Sequence, residues 1–274
     1  MPAAIKTRSS QRSPTNASGR DIDEISDFPS LFLLTTVPAW AGSFNVSPIR
    51  IELSPAKPTQ ALSLTNEGDA PVVIQVQPML WTQQNWKDVH APTDQVIATP
   101  PVVRIPAHGR QVVRVGLRRP LTAGTEGTFR LYLTEIPTVL KTDQVGMQVS
   151  LRLDLPLFVA TTNDLRPDLR WSVARDETGL PQVLVTNAGT AHVQLTDIRF
   201  WQGDQIVDTP QPAHAYVLPG ATRRWPLAKG SAQPTSLLSL RVRASADFGT
   251  IDTPLSSSVV AREGHAPAPL LADD

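Results

Sequence analysis

The 274 residues contain no cysteine. Disulfides and thiolate metal sites are thereby excluded, and the redox compartment cannot be read from cysteine usage. Excess charge is missing as well: 25 basic side chains stand against 25 acidic ones. Without a basic surplus there is no electrostatic footprint for nucleic acid or an anionic membrane, and neither is expected as a partner. The chain has no G-x-S-x-G elbow, no Gly-rich phosphate loop and no H-E-x-x-H. Its five histidines, His90, His108, His192, His214 and His265, are dispersed and have no cysteine to help them, so a metal site is not expected. Asp176 and Glu177 imitate a carboxylate dyad, but neighbours in one turn seldom converge on a substrate. The expectation is a protein without catalytic residues, metal or cofactor.

Proline, by contrast, is abundant: 26 residues, nearly twice an average usage of about 5%. Spread along the chain, it disfavours long helices and favours short strands joined by turns, so all-β is the leading class. A hydrophobic fraction of 41% is enough to build real cores in one or two domains.

One stretch organises the rest. In VGMQVSLRLDLPLFV, residues 145–159, every second position is apolar: Val145, Met147, Val149, Leu151, Leu153, Leu155, Leu157 and Val159. Strict period two is the mark of a half-buried strand, and Phe158 is the only large apolar intruder on the other face. At about 3.3 Å per residue the run approaches ~50 Å, far beyond an ordinary strand of about 5–6 residues. Pro156 cannot donate to a ladder and Gly146 is a poor strand interior, so the element belongs at an edge or switches sheets. An apolar edge strand of this kind invites pairing with another chain.

Residues 1–28 are polar, with Lys6, Arg8, Arg12 and Arg20 followed by Asp21, Asp23, Glu24 and Asp27. A short apolar run, residues 31–37, and Ala39-Trp40-Ala41 then read as the h-region and cleavage site of a signal peptide ending at residue 41. The acids before the run depart from that pattern, and a misassigned start site would explain them. The run is too short for a membrane span of about 20 residues.

From residue 42 the text turns to short alternating runs closed by Pro, Gly, Asn or Asp. FNVSPIRIEL, QALSLTNEG and APVVIQVQPMLW come first, and two more strands in VIATPPVVRIPAHGRQVVRVGL flank a turn at residues 106–109. GTFRLYLTEIP and the long strand complete seven, as in an immunoglobulin-like sandwich, although the Cys and Trp hallmarks of antibody domains are missing. TTNDLRP, residues 161–167, marks the boundary between a first domain at 42–160 and a second at 161–261, which again holds short strands. The remaining residues, 262–274, are expected to be disordered. Arg104, Arg110 and Arg114 read as the wet face of one hairpin. Trp81 and Trp86 are a pair to watch for carbohydrate stacking, though core or loop packing is the commoner role.

Together, VSPIRIEL, VIATPPVVRIPAHGRQVVRV, FRLYLTEIP and the alternating strand resemble the PapD-like periplasmic chaperones of the chaperone/usher pilus pathway. LVTNAGTAHVQL, AYVLPG and ADFG add a weaker echo, and the LPLFV ending looks like the archaic branch. The resemblance implies two immunoglobulin-like β-sandwich domains in a boomerang. It implies a periplasmic protein that binds pilin-like subunits by donor-strand complementation, prevents their aggregation and delivers them to an outer-membrane usher. Val145, Met147, Val149, Leu151 and Leu153 match the donor strand. Arg50 matches the anchor for the subunit's C-terminal carboxylate, which an arginine fork holds bidentately. The family's second basic anchor falls at Pro156, and Arg152, four residues away on the same face and about 13 Å along the strand, is the substitute. Glu126 and Asp247 match the acids of the domain hinge, but Ala160 stands where the family has an arginine, and Arg166 is the candidate replacement. When free, such a chain is expected to cap its apolar edge by self-association. The competing readings are a secreted adhesive or carbohydrate-binding β-sandwich protein and an enzyme on a sandwich scaffold.

Overall fold

The computed structural model describes residues 44–137, 150–208, 210, 214–227 and 239–257. The signal-peptide segment, Val145, Met147, Val149 and the tail 262–274 lie outside the described residues. Every named element is a strand, as the proline content leads one to expect.

The first ten strands are β1 (Phe44–Ser47), β2 (Ile51–Leu53), β3 (Thr59–Asn66), β4 (Val72–Gln84), β5 (Lys87–Pro92), β6 (Val96–Thr99), β7 (Val102–Ile105), β8 (Arg110–Leu117), β9 (Gly127–Glu135) and β10 (Arg152–Val159). One sheet runs β1-β3-β8-β6, and the other runs β2-β10-β9-β4-β5 with β7 also on β4. Side chains from both sheets, among them Leu62, Leu64, Val113, Ile74, Leu131 and Leu157, fill a common core. This is a sandwich built from more pieces than the sequence suggests, and proline is the reason. Pro48 interrupts FNVSPIRIEL, so β1 and β2 lie in opposite sheets; Pro100 and Pro101 part β6 from β7 in the same way. A residue without an N–H ends a ladder, and the chain crosses there. The unforeseen β5 folds back on β4 through Asn85 and Trp86, whose positive φ values of 48° and 66° suit a two-residue hairpin turn.

The other nine strands are β11 (Leu169–Arg175), β12 (Pro181–Asn187), β13 (Val193–Gln202), β14 (Gln205–Asp208), β15 (Ala215–Val217), β16 (Thr222–Pro226), β17 (Leu240–Ala246), β18 (Gly249–Pro254) and β19 (Ser256–Ser257). They form the sheets β16-β12-β11-β19 and β14-β13-β17-β18, with β15 on β13. A separate core of Trp171, Val183, Val185, Leu195, Phe200 and Val242 lies between these sheets. The all-β expectation of two immunoglobulin-like sandwiches is met.

The two sandwiches share a local device. Asn66 and Asn187, each ending a strand with the text TN-x-G, are fully buried. Asn187 Nδ2 donates to the carbonyls of Ala191 at 2.7 Å and Val217 at 3.0 Å, while Oδ1 accepts from the N–H groups of Gly189 and Asp168. Asn66 binds Ala70, Pro106 and Gly68 in the same manner. A buried amide is tolerated because each of its sites is used.

The described part of the long strand begins at Arg152. Antiparallel β9 flanks it throughout, from Arg152 opposite Thr134 to Val159 opposite Gly127. Parallel β2 covers only Leu157, Phe158 and Val159. Over residues 152–156 β10 therefore has a neighbour on one side alone among the described residues. Leu155, Leu157 and Val159 enter the core, and Leu151 and Leu153 pack partly against it. Arg152, Asp154, Pro156 and Phe158 occupy the opposite face.

Candidate functional site at the joint of the sandwiches

Phe158 is an outward-facing side chain that is nevertheless buried. With Trp81 of β4 it forms a small apolar cluster against Tyr216, Leu218 and Ala221 of the second sandwich. Trp81 lies 5.9 Å from Phe158 and 5.4 Å from Tyr216 between ring centroids. His192, just before β13, stacks on the free face of the Phe158 ring.

A polar chain crosses the joint at the rim of this cluster. Glu126 Oε2 accepts from both the backbone N–H of His192 and its Nδ1, each at 2.7 Å. Arg50 Nη2 lies 2.7 Å from the other ring nitrogen, Nε2. A guanidinium only donates, so Nε2 accepts and Nδ1 carries the proton that meets Glu126. Arg50 Nη1 pairs with Asp247 Oδ2 at 3.2 Å, and its Nε is 2.8 Å from Glu52 Oε1. Asp247 Oδ1 accepts from the N–H of Gln194 at 2.7 Å. The Arg50 guanidinium also lies 5.2 Å from the Phe158 ring centroid, within cation–π range.

A second tie crosses on the other side of the aromatic cluster. Arg223 of β16 grips both oxygens of Asp88 of β5 at 2.7 and 2.6 Å, and donates to the Trp86 carbonyl at 3.0 Å. Burial alone would push the Asp88 carboxyl up, but hydrogen bonds from Arg223, Gln83 and Trp81 outweigh it and hold the group below its ordinary value. Gln83 completes the tie by imitating a strand neighbour. Its amide donates to the Tyr216 carbonyl and accepts from the Leu218 N–H, both at 3.0 Å.

Two cavities flank the cluster. One, of about 380 Å³, is lined by Glu52, Lys57, Glu126, Phe158, Ala160 and His192 among others. The other, of about 500 Å³, has Trp86, Arg130, Tyr216, Arg223 and Arg224 in its wall. Arg130 stacks on Trp81 with its guanidinium 3.6 Å from the ring centroid.

Residues 43–163 match the family model for the N-terminal domain of PapD, described as a pili and flagellar-assembly chaperone. Over these residues the chain is similar to a PapD N-terminal domain. The fold of the chain is also similar to PapD-like solved structures. One is the chaperone–tip adhesion subunit pre-assembly complex CsuC–CsuE from the archaic Csu pili of Acinetobacter baumannii: 20% identity over 80% of this chain and 100% of that chain, TM-score 0.61. Another is the SafA pilin in complex with the SafB chaperone from Salmonella enterica: 16% identity, 79% and 98% coverage, TM-score 0.57. The CupB2 chaperone of Pseudomonas aeruginosa matches at 19% identity, 77% and 100% coverage, TM-score 0.52. At these identities the likeness is one of fold. No curated protein matches the chain.

In this PapD-like frame, Arg50, Glu126 and Asp247, chosen from three distant segments, do meet in one network. Arg152 does not join them. Its guanidinium lies 4.7 Å from the Tyr132 ring, and it stands six residues along β10 from Phe158, about 20 Å. Nor does Arg166 replace the hinge arginine: its Nη1 donates to the carbonyls of Asn163 and Leu165. His192 occupies the place between the two acids instead. Trp81 is fully buried and Trp86 lies under Arg224 at 4.4 Å, so this pair offers no open stacking platform. His192, Tyr216 and the Asp88–Arg223 pair escape sequence reasoning because each acts across the joint, and Arg130 because its partners Trp81 and Asp154 stand on other strands. Phe158 alone left a signal, as the single break in an otherwise strict alternation.

Proposed function

We propose that this chain is a periplasmic assembly chaperone that captures pilin-like subunits by donor-strand complementation, keeps them from aggregating and hands them to an outer-membrane usher. The observation that carries this reading is the half-open β10 within a domain similar to that of PapD. An exposed strand edge continuous with alternating apolar residues suits β-augmentation, in which main-chain bonds give affinity and alternate side chains fill pockets. The donors are Val145, Met147 and Val149, with Leu151 and Leu153 contributing what their partial burial in the chain's own core leaves free. The subunit's terminal carboxylate docks at Arg50. That guanidinium already faces Asp247 and Glu52, and the Glu52 side chain is 63% exposed, so an incoming carboxylate readily displaces this weak surface partner. Without a subunit, the same strand edge caps itself by pairing with a second copy.

The test is co-expression in a bacterial periplasm with the pilin-type subunit encoded beside this chain, followed by pull-down. Wild type should yield a one-to-one complex. Replacing Met147 and Val149 together by Asp should abolish capture while the unfolding curve stays unchanged. Capture that survives the double replacement removes the donor-strand claim, and no complex with wild type overturns the chaperone reading.

A further inference from the structure

The His192 ring sits where its protonation decides what Arg50 can hold. Glu126 Oε2 accepts from both the backbone N–H and Nδ1 of His192, each at 2.7 Å, so the ring cannot turn over without losing a bond. Phe158 lies flat against it, and Tyr216 stands 5.9 Å away between ring centroids. Nε2 is the ring nitrogen left to face the polar rim. There it meets Arg50 Nη2 at 2.7 Å and, at 3.8 Å, Asp247 Oδ2. The same Oδ2 holds Arg50 Nη1 at 3.2 Å. Among the described residues the other charged groups beside the ring are Glu52 and Lys57, which line the same cavity.

Arg50 donates to Nε2 only while that nitrogen is bare, because a guanidinium has no acceptor. A proton on Nε2 sets two cationic donors against each other at hydrogen-bond distance, and it gives Asp247 Oδ2 a second donor to serve. The imidazolium keeps Glu126, gains Asp247 and retains the Phe158 face, which accommodates a cation. Arg50 loses the ring, shares or yields Asp247, and is left with the exposed Glu52.

We propose that His192 is a proton-dependent positioning residue for Arg50: neutral, it holds the guanidinium back at the joint; protonated, it releases it to the carboxylate of a captured chain. This rests on the chaperone reading above, with Arg50 as the dock. Release of Arg50 and protonation of His192 favour each other, so capture strengthens as pH falls and takes up a proton from solvent. Histidine suits such a switch, since it is the side chain that changes charge between about pH 5 and 8.

The experiment uses the full-length chain. Nitrogen-15 spectra of its imidazoles at about pH 8 should show His192 with a proton on Nδ1 and none on Nε2; a proton on Nε2 there overturns the proposal. A synthetic peptide with the subunit's C-terminal sequence, as the free acid and as the amide, is then titrated at about pH 8 and about pH 5.5, where a terminal carboxylate stays ionised. The preference of wild type for the acid should grow about 10-fold on acidification, the scale of one charge-assisted hydrogen bond. Calorimetry in two buffers should register proton uptake with the acid and none with the amide. His192→Gln and Arg50→Gln should each give one preference at both pH values, whereas His108→Gln, at an exposed histidine beside Asp69, should respond as wild type does. A wild-type preference that ignores pH, or a growth that survives His192→Gln, overturns the proposal and leaves the chaperone reading standing. If co-expressed wild type captures no subunit, both fall.

Discussion

His192 lies flat on Phe158, with ring centroids 3.4 Å apart and planes 4° from parallel. One residue precedes β13 of the second sandwich and the other is the penultimate residue of β10 of the first. The contact therefore couples the strand proposed for partner binding to the polar chain of Glu126, Arg50 and Asp247. Both the His192 and Glu126 side chains are only 8% exposed, so the hydrogen bond between them is shielded from water.

Removing either ring tests this coupling. His192→Ala leaves the Glu126 carboxylate with the backbone N–H alone and should cost about 1–3 kcal/mol; Phe158→Ala should cost about 3–5 kcal/mol. The double variant should lose less than the sum by about 1 kcal/mol, because one stacked contact is counted in both. Urea unfolding of the four proteins measures it.

Asp88 makes the second tie acid-sensitive. Its folded pKa lies below the ordinary value near 3.8. A depressed carboxylate adds stability that is complete above the unfolded pKa and is lost as pH falls through the folded one. The advantage of wild type over Asp88→Asn should hold constant at pH 5–7 and shrink below about pH 4. Melting temperatures measured along that series follow the difference; an advantage independent of pH would refute the charge-based account.

At Gly189 the close approach is to backbone. A Cβ there would lie 2.3 Å from the Arg166 carbonyl oxygen and 2.4 Å from the Asp168 nitrogen. Gly189→Ala must displace the segment joining the sandwiches, and a loss of about 2 kcal/mol or more is expected. Limited proteolysis should then cut residues 160–168 faster than in wild type.

Asn187→Ala strands two carbonyls and two N–H groups that its amide now serves. A loss of at least about 2 kcal/mol should follow. Asn66→Ala should behave alike in the first sandwich, and calorimetry of the two variants makes the comparison.

Much of this protein was legible in the chain itself. Period-two alternation in 145–159, the proline content and the turn residues point to strands and to sandwiches, since these are local consequences of side-chain direction and of φ restriction. The segments holding Arg50, Glu126 and Asp247 also carry a readable resemblance. What the chain concealed are relations between distant segments. Pro48 and Pro100 are visible, but the change of sheet at each depends on which neighbour offers a ladder. Arg152 and Arg166 are candidates only by proximity in sequence, whereas the partners of a charge are set by what faces it in space. His192, one of five scattered histidines, has its place only because β13 brings it over Phe158. Arg130 stands opposite Pro156 only because β9 and β10 pair in one register. Local pattern thus determined the strands and their apolar faces; tertiary packing alone decided which side chains meet at the joint, because burial and electrostatics act through space and not along the chain.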